Sequence, residues 1–333
     1  MKRKVSKSLL GAMVMMLLTL GFSVTALQTK AYFYYNGQVA SVQQVGATYN
    51  SVTVQWTPAV GTTPVAGYNI YLNDTSLPIA TVPASTLSYT VQGVAENSSV
   101  LVYVKPYATD PETGVPDEGY SAYADAQTLS RVTNVGYYSY GFEYSSSPYQ
   151  GLKVQWDYIS NCDGYQAVLY KKNGSVVQTL NYASKWDYYK ANFTKATRKQ
   201  VYYVQVRSYV TLANGIQAFG DWSAPLYCVP DPIITSKKSD IGHYSIKMKW
   251  KKVAGASSYT IYVSNKSGKL GKKVATVKGN KSTYTIKKVG KAKVNTYKKD
   301  YYVTVFANAK FGKSTKKSKG YYYTHFYTYS YYR

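Results

Sequence analysis

The stretch SVTVQW at 51–56 sets the strongest limit on this chain, because it recurs as LKVQW at 152–156 and SIKMKW at 245–250. In each copy apolar residues alternate up to a tryptophan: Val52, Val54 and Trp56; Leu152, Val154 and Trp156; Ile246, Met248 and Trp250. Period two marks a strand with one buried face. The tryptophans lie 100 and 94 residues apart, so the fold repeats a unit of about one hundred residues.

Downstream the copies keep agreeing. GYNIYLND at 67–74, GYQAVLYKKNG at 164–174 and SYTIYVSNKSG at 258–268 each supply a second strand, and its lead tyrosine follows the tryptophan by nine residues in the second and third copies. A further strand is read in LSYTV at 87–91, WDYYKA at 186–191 and STYTI at 282–286. A long one follows in VLVYVKPYA at 100–108, VYYVQVRSY at 201–209 and YYVTVFANA at 301–309, then a glycine-containing loop and a last strand such as GDWSAPLYC at 220–228. Short strands, frequent turn signals and no helical periodicity predict an all-β chain of three tandem antiparallel β-sandwiches. The three copies resemble fibronectin type III domains, the third most clearly in WKKVAGASSYTIYVS at 250–264. The resemblance places the family's corner tyrosine of the long strand at Tyr202 and Tyr301, with Val102 there in the first copy. Together with Trp56, Trp156 and Trp250 these form the expected structural core. The expected domains are 36–129, 130–229 and 230–333. Such domains are spacers and binding modules more often than catalysts, and the fold alone names no ligand.

Ahead of them, residues 1–26 read as a signal peptide. Lys2, Arg3, Lys4 and Lys7 precede an apolar run from Leu9 to about Phe22, and Val24-Thr25-Ala26 offers a small-residue cleavage site, with Ala31 as a second position. An uncleaved anchor is the alternative. The expectation is a secreted, extracellular protein, non-covalently associated with a surface.

Catalytic chemistry has little to work with. His243 and His325 are the two histidines, neither has Cys, Asp or Glu at ligand spacing, and both read as surface residues with no metal. TDPETGVPDEG at 109–119 is the best calcium candidate, but it lacks the spacing of a calcium loop and reads as a turn-rich connection. No cofactor is expected, nor an enzyme. A glycan-active enzyme would need paired carboxylates at a cleft, and the third domain has only Asp231, Asp240 and Asp300. Cys162 and Cys228 fall in one domain. In the resembled topology Cys162 sits in the loop after the tryptophan strand, and Cys228 ends the last strand at the other pole. A strand from Trp222 to Cys228 would separate them by about 20 Å, too far for a disulfide.

The charge is graded. Residues 32–129 carry one Lys or Arg against seven Asp or Glu, a net of −6; residues 130–230 carry ten against five, +5; residues 231–333 carry 24 against three, +21. In the resembled topology the third domain's loops at one pole gather Lys266, Lys269, Lys272, Lys273, Lys287, Lys288, Lys291, Lys293, Lys298 and Lys299. The last strand is expected to bring Lys316, Lys317 and Lys319 to the same tip. One-sided charge of this size attracts polyanions. An anionic cell-wall polymer, acidic glycan or mucin is the expected partner, through adhesion driven by charge. A structural spacer or self-associating matrix protein is the competing reading, and nonspecific binding of extracellular DNA is a third; sequence-specific nucleic-acid recognition is not expected. Self-association would use the ending GYYYTHFYTYSYYR, 320–333, where seven of fourteen residues are tyrosine. Its alternate positions Tyr321, Tyr323, Tyr327, Tyr329 and Tyr331 make an aromatic stripe on a strand or tail, 321–333.

Overall fold

The computed structural model describes residues 33–142, 151–183, 189–239, 242–320 and 323–326, apart from the side chains of Tyr140 and Tyr323. Residues 1–26, read above as a signal peptide, and tail residues Tyr321, Tyr327, Tyr329 and Tyr331 lie outside them. Every regular element among the described residues is a strand. Domain 1 comprises β1 (Val42–Ala47), β2 (Ser51–Trp56), β3 (Gly67–Leu72), β4 (Ala80–Pro83), β5 (Ser88–Gln92), β6 (Ser99–Thr109), β7 (Pro116–Glu118) and β8 (Ala122–Gln127). Domain 2 comprises β9 (Gly136–Phe142), β10 (Leu152–Gln155), β11 (Gly164–Lys171), β12 (Val176–Tyr182), β13 (Lys190–Phe193), β14 (Tyr202–Thr211), β15 (Gln217–Phe219) and β16 (Leu226–Cys228). Domain 3 runs through β17 (Ile234–Ser239), β18 (Ile246–Trp250), β19 (Ser258–Ser264), β20 (Lys272–Lys278), β21 (Thr283–Ile286), β22 (Lys288–Val289), β23 (Ala292–Lys293), β24 (Tyr301–Phe311), β25 (Ser314–Lys317) and β26 (Tyr323–Phe326).

One topology serves all three. A three-stranded sheet, β1-β2-β5, β9-β10-β13 or β17-β18-β21, faces a larger one in which the long strand pairs with its inner neighbour on one side and a two-part last strand on the other. That is the strand order of a fibronectin type III sandwich. Alternation supplies the core: Val52, Val54, Leu152, Val154, Ile246 and Met248 are all fully buried.

The tryptophan-to-tyrosine relation is a repeated staple. The pairs Trp56–Tyr68, Trp156–Tyr165 and Trp250–Tyr259 meet edge-on or tilted, with ring centroids 5.4, 5.3 and 5.2 Å apart. Each tyrosine hydroxyl accepts the amide N–H of the residue three beyond the tryptophan: Ala59 at 3.0 Å, Ile159 at 2.9 Å and Val253 at 2.7 Å. The ring fills the core while its hydroxyl satisfies a loop donor that would otherwise be buried unpaired.

The corner tyrosines bind as the resemblance implies. Tyr202 Oη accepts Thr197 N–H at 2.9 Å, and Tyr301 Oη accepts Asn295 N–H at 3.0 Å. The first-copy equivalent needs correction. Tyr68, Tyr165 and Tyr259 face Pro106, Ser208 and Ala307 across the ladder, and counting back six residues reaches Val100, Tyr202 and Tyr301. Val100, not Val102, holds the corner position. Thr128 supplies the missing hydrogen bonds there. It is fully buried, and its hydroxyl donates to Ala95 O at 2.9 Å and accepts Ser98 N–H at 3.0 Å.

The last strand is broken in every domain. β7, β15 and β25 pair with the far end of the long strand, whereas β8, β16 and β26 pair with its start. At each break one amide donates back to the long strand: Gly119 to Pro106 O, Gly220 to Ser208 O and Ser318 to Ala307 O, at 2.8, 3.0 and 2.9 Å. The expected strand across 220–228 is therefore only Leu226–Cys228. Domain 1 also begins before residue 36: Tyr35 is buried and its amide donates to Asp117 Oδ2 at 2.8 Å.

Both junctions are tied. Between domains 1 and 2, Asn97, in a left-handed turn at φ +58°, offers Oδ1 to Asn161 N–H at 3.1 Å and its carbonyl to Asn161 Nδ2 at 2.6 Å. Between domains 2 and 3, Val201 N–H donates to Ala254 O at 3.0 Å and Ala254 N–H to Lys199 O at 2.7 Å. The Val201 side chain is buried within the core of domain 3.

Candidate polyanion surface

Three loops meet at one pole of domain 3. Asn265 Nδ2 donates to Asp300 O at 2.9 Å, which ties the β19–β20 turn to the start of β24. Thr296 N–H donates to His243 O at 2.9 Å, which ties the 287–300 segment to the turn before β18. Gly290, at φ +63° in the β22–β23 turn, lies against the Lys272 side chain, whose Nζ is 3.6 Å from where a Cβ would sit. Lys266, Lys269, Lys272, Lys273, Lys287, Lys288, Lys291, Lys293, Lys298 and Lys299 occupy these segments and all are exposed. Lys288 and Lys293 stand directly opposite each other in the β22–β23 ladder, an arrangement that costs stability unless an anion neutralises it. The nearby carboxylate of Asp300 faces the His325 imidazole, with Nε2 to Oδ2 at 3.4 Å.

Lys316, Lys317 and Lys319 are elsewhere. Because the last strand starts at the far end of β24, Lys316 and Lys317 pair with Ala309 and Asn308, away from the ten-lysine pole. Two of them face domain 2 instead, Lys316 Nζ lying 5.5 Å from the centre of the Tyr227 ring and Lys319 Nζ 5.5 Å from that of Tyr137, while Lys317 Nζ lies over Phe306 of domain 3, 4.2 Å from its ring centre. The expected single cluster is thus two separate groups.

The tail is also redefined. Tyr323–Phe326 is the second half of the last strand, pairing with β24 so that Phe326 faces Tyr301, and Phe326 is buried in the core. His325 stacks on Tyr302 with centroids 4.1 Å apart at 16°. It is packed against an aromatic ring and a carboxylate, not a free surface histidine. Lys237 Nζ donates to His325 O at 3.2 Å. His243 is held in a turn at φ +58°, its Nδ1 3.0 Å from Thr296 Oγ1 and its ring 3.9 Å from that of Tyr297.

Among the described residues no cluster of His, Cys, Asp or Glu could hold a metal ion. In the 109–119 segment Asp110, Asp117 and Glu118 have protein partners. Asp110 accepts Glu112 N–H and Thr113 Oγ1, and Asp117 accepts Tyr35 N–H. Glu118 accepts Asn69 Nδ2, Tyr71 Oη and Lys105 Nζ. Its burial pushes the carboxyl upward, but those three donors outweigh this and leave its pKa below the usual value. Asp231 is buried and accepts Gly320 N–H at 2.8 Å. The cysteines sit at opposite ends of β14. Cys228 faces Tyr202, while Asp163, beside Cys162, donates its N–H to Tyr209 O; seven residues of strand separate these points by about 24 Å. Both cysteines are buried and neither is in a disulfide, and burial pushes the Cys228 thiol up to about 12.

No family model matches the chain, and no curated protein is significantly similar to it in sequence. Solved structures are similar: the FN1–FN3 domains of chicken CNTN1 at 14% identity, covering 84% of this chain and 97% of that one, with a TM-score of 0.27. The central fibronectin-III array of RIM-binding protein is 16% identical over 86% and 97%, with a TM-score of 0.23. A two-domain fibronectin type III segment of chicken tenascin is 11% identical over 57% and 97%, with a TM-score of 0.27. The chain is a fibronectin type III-like tandem. That assignment rests on the strand order, found three times, and on the Trp–Tyr staple.

Proposed function

We propose that this is a secreted, non-catalytic binding protein that holds an anionic extracellular polymer through the lysine pole of domain 3, leaving domains 1 and 2 to project from it. The observation that carries the reading is the β22–β23 hairpin, where Lys288 and Lys293 oppose each other beside Lys272, Lys287 and Lys291. A mere solubilising surface would spread such charges among acids. Lysines acting as point charges along a polymer give affinity that falls with salt through counterion release.

The test is a salt series of full-chain binding to polygalacturonate and a heparin-like glycan. The variant carries Lys287→Gln, Lys288→Gln, Lys291→Gln and Lys293→Gln. Removing four ammonium–carboxylate contacts should flatten the log–log salt slope by about three, at the single-strand coefficient of about 0.7 per contact. Failure of the wild type to bind either polymer at low salt, or an unchanged slope in the variant, sinks the reading. In the matrix-protein alternative, self-association would have to use tyrosines other than those of 323–326, since that segment pairs with β24 and buries Phe326.

A further inference from the structure

Both junctions join the same two kinds of domain end. Asn97, in the β5–β6 connection of domain 1, meets Asn161 in the β10–β11 connection of domain 2; Lys199 and Val201, in the β13–β14 connection of domain 2, meet Ala254 in the β18–β19 connection of domain 3. Each time, the end where one domain's long strand begins meets the end where the next domain's long strand finishes. The ends outside this pattern are the finish of β6 at Thr109 in domain 1 and the start of β24 at Tyr301 in domain 3. Each lies about 33 Å of strand away from its own domain's junction.

These two outer ends carry opposite charge. On domain 1 the β6–β7 turn holds Asp110 and Glu112, with Asp117 just beyond; Lys105, the one Lys or Arg between 32 and 129, is paired with Glu118 at 3.2 Å. On domain 3 the corresponding end is the lysine pole. Both ends also expose apolar side chains among their charges: Tyr34, Val60, Val115 and Tyr120 on domain 1, and Tyr244, Leu270 and Tyr297 on domain 3. The domain 1 set is tied together. Tyr34 Oη donates to Tyr120 Oη at 3.0 Å, Gln38 N–H to Val60 O at 2.9 Å, Tyr120 N–H to Gly37 O at 2.9 Å and Asp110 N–H to Val115 O at 2.9 Å. Val60 follows Trp56 by four residues, as Ala254 follows Trp250. Ala254 gives its amide and carbonyl to the preceding domain, whereas Val60 gives both to Gln38. With that backbone position filled, contact with a further domain falls to the side chains around it, and Val60 is 76% exposed. Exposed apolar side chains rimmed by charge mark protein–protein surfaces, and fields of opposite sign steer two such surfaces together.

We propose that copies of this chain associate head to tail, the lysine pole of domain 3 in one copy seated on the acidic Tyr34–Tyr120 end of domain 1 in the next. The acids of the second copy then neutralise the opposed Lys288 and Lys293. A contact between two different surfaces leaves one of each unused, so it propagates into an array unless the rotation closes a ring. This contact uses the lysines of the polymer reading but does not depend on it, and an open array keeps one pole free at its end.

Sedimentation velocity of the full chain tests it. Species larger than the monomer should grow with concentration at low salt and disappear near roughly 1 M salt, where the screening length is about 3 Å. Glu112→Lys with Tyr120→Ser, both exposed, should weaken association at least about ten-fold, and so, separately, should the four-lysine pole variant. Mixed in equal amounts, these two variants should form a dimer and nothing larger, because one keeps a working pole and the other a working domain 1 end. A wild type that stays monomeric at about 100 µM and low salt overturns the proposal, as does undiminished association of either variant or a mixture that stays monomeric. Polymer binding keeps the two readings apart. A monomer that still binds polygalacturonate leaves the lysine pole standing as a polymer site and removes the array; self-association by a chain that binds neither polymer does the reverse.

Discussion

Replacing Phe326 by alanine should selectively unfold domain 3. Phe326 is 8% exposed, packs in the core around Trp250 and Tyr259, and faces Tyr301 at the start of β24. Truncating a buried phenylalanine costs about 3 to 5 kcal/mol, transfer and cavity together. Phe326 ends a four-residue strand at the margin of its sheet, where neighbours can relax into the space, so the lower figure of about 3 kcal/mol applies. For a domain of this size each kcal/mol moves the midpoint by about 4 to 8 °C, which gives roughly 12 to 24 °C. Hydrogen exchange resolves the domains. Amides of Ile246–Trp250 should lose protection by over two orders of magnitude, while those of Leu152–Gln155 in domain 2 change far less. A loss below about 1 kcal/mol at Ile246–Trp250 would refute the placement of the tail as a core strand.

Tyr202→Phe and Tyr301→Phe should each cost about 1 to 2 kcal/mol, by orphaning the Thr197 or Asn295 amide, and Thr128→Val should cost domain 1 a similar amount; urea midpoints of the single variants check all three. Cys228 should resist thiol reagents in the native state and react once unfolded. Burial raises its folded pKa above the unfolded value, so the folded state keeps a proton that the unfolded state releases. The stabilisation is complete below the ordinary thiol range and is lost as pH climbs toward about 12. Burial raises Tyr165 in the same domain too. Domain 2 should therefore lose stability on the alkaline side, and Cys228→Val should flatten part of that fall in a denaturation series between pH 8 and 11.

Residues that act through their own strand's alternation are legible in the sequence. Val52 and Val54 or Ile246 and Met248 point inward because period two forces them to, and the Trp–Tyr spacing marks the staple. What depends on pairing between distant strands is not legible. Val100 and Val102 lie on the same face, so alternation cannot tell them apart, and only the ladder from Tyr68 to Pro106 does. Strands β4, β12 and β20 leave only a faint signal, since none of their residues is fully buried. Lys316, Lys317 and Lys319 stand late in the chain, which suggests the pole where the chain leaves. The last strand instead begins at the far pole and breaks at Ser318, so these lysines stay near its start. The pairing of His325 with Asp300 and Tyr302 joins residues 23 to 25 apart, without any spacing rule that points to it.

Val201 gives the second junction a mechanical meaning. It belongs by chain position to domain 2, yet its side chain fills the core of domain 3, and a β-bridge joins Gln200 to Ala254 beside it. A protease cut near residue 230 would separate the repeats as the chain counts them, but would strip domain 3 of a plug and leave Val253 and Gly255 facing water. The unit that melts, and that bears a pull along the chain, therefore straddles the repeat boundary. Force applied to a tethered domain 3 would reach domain 2 through packed side chains as well as through the linker.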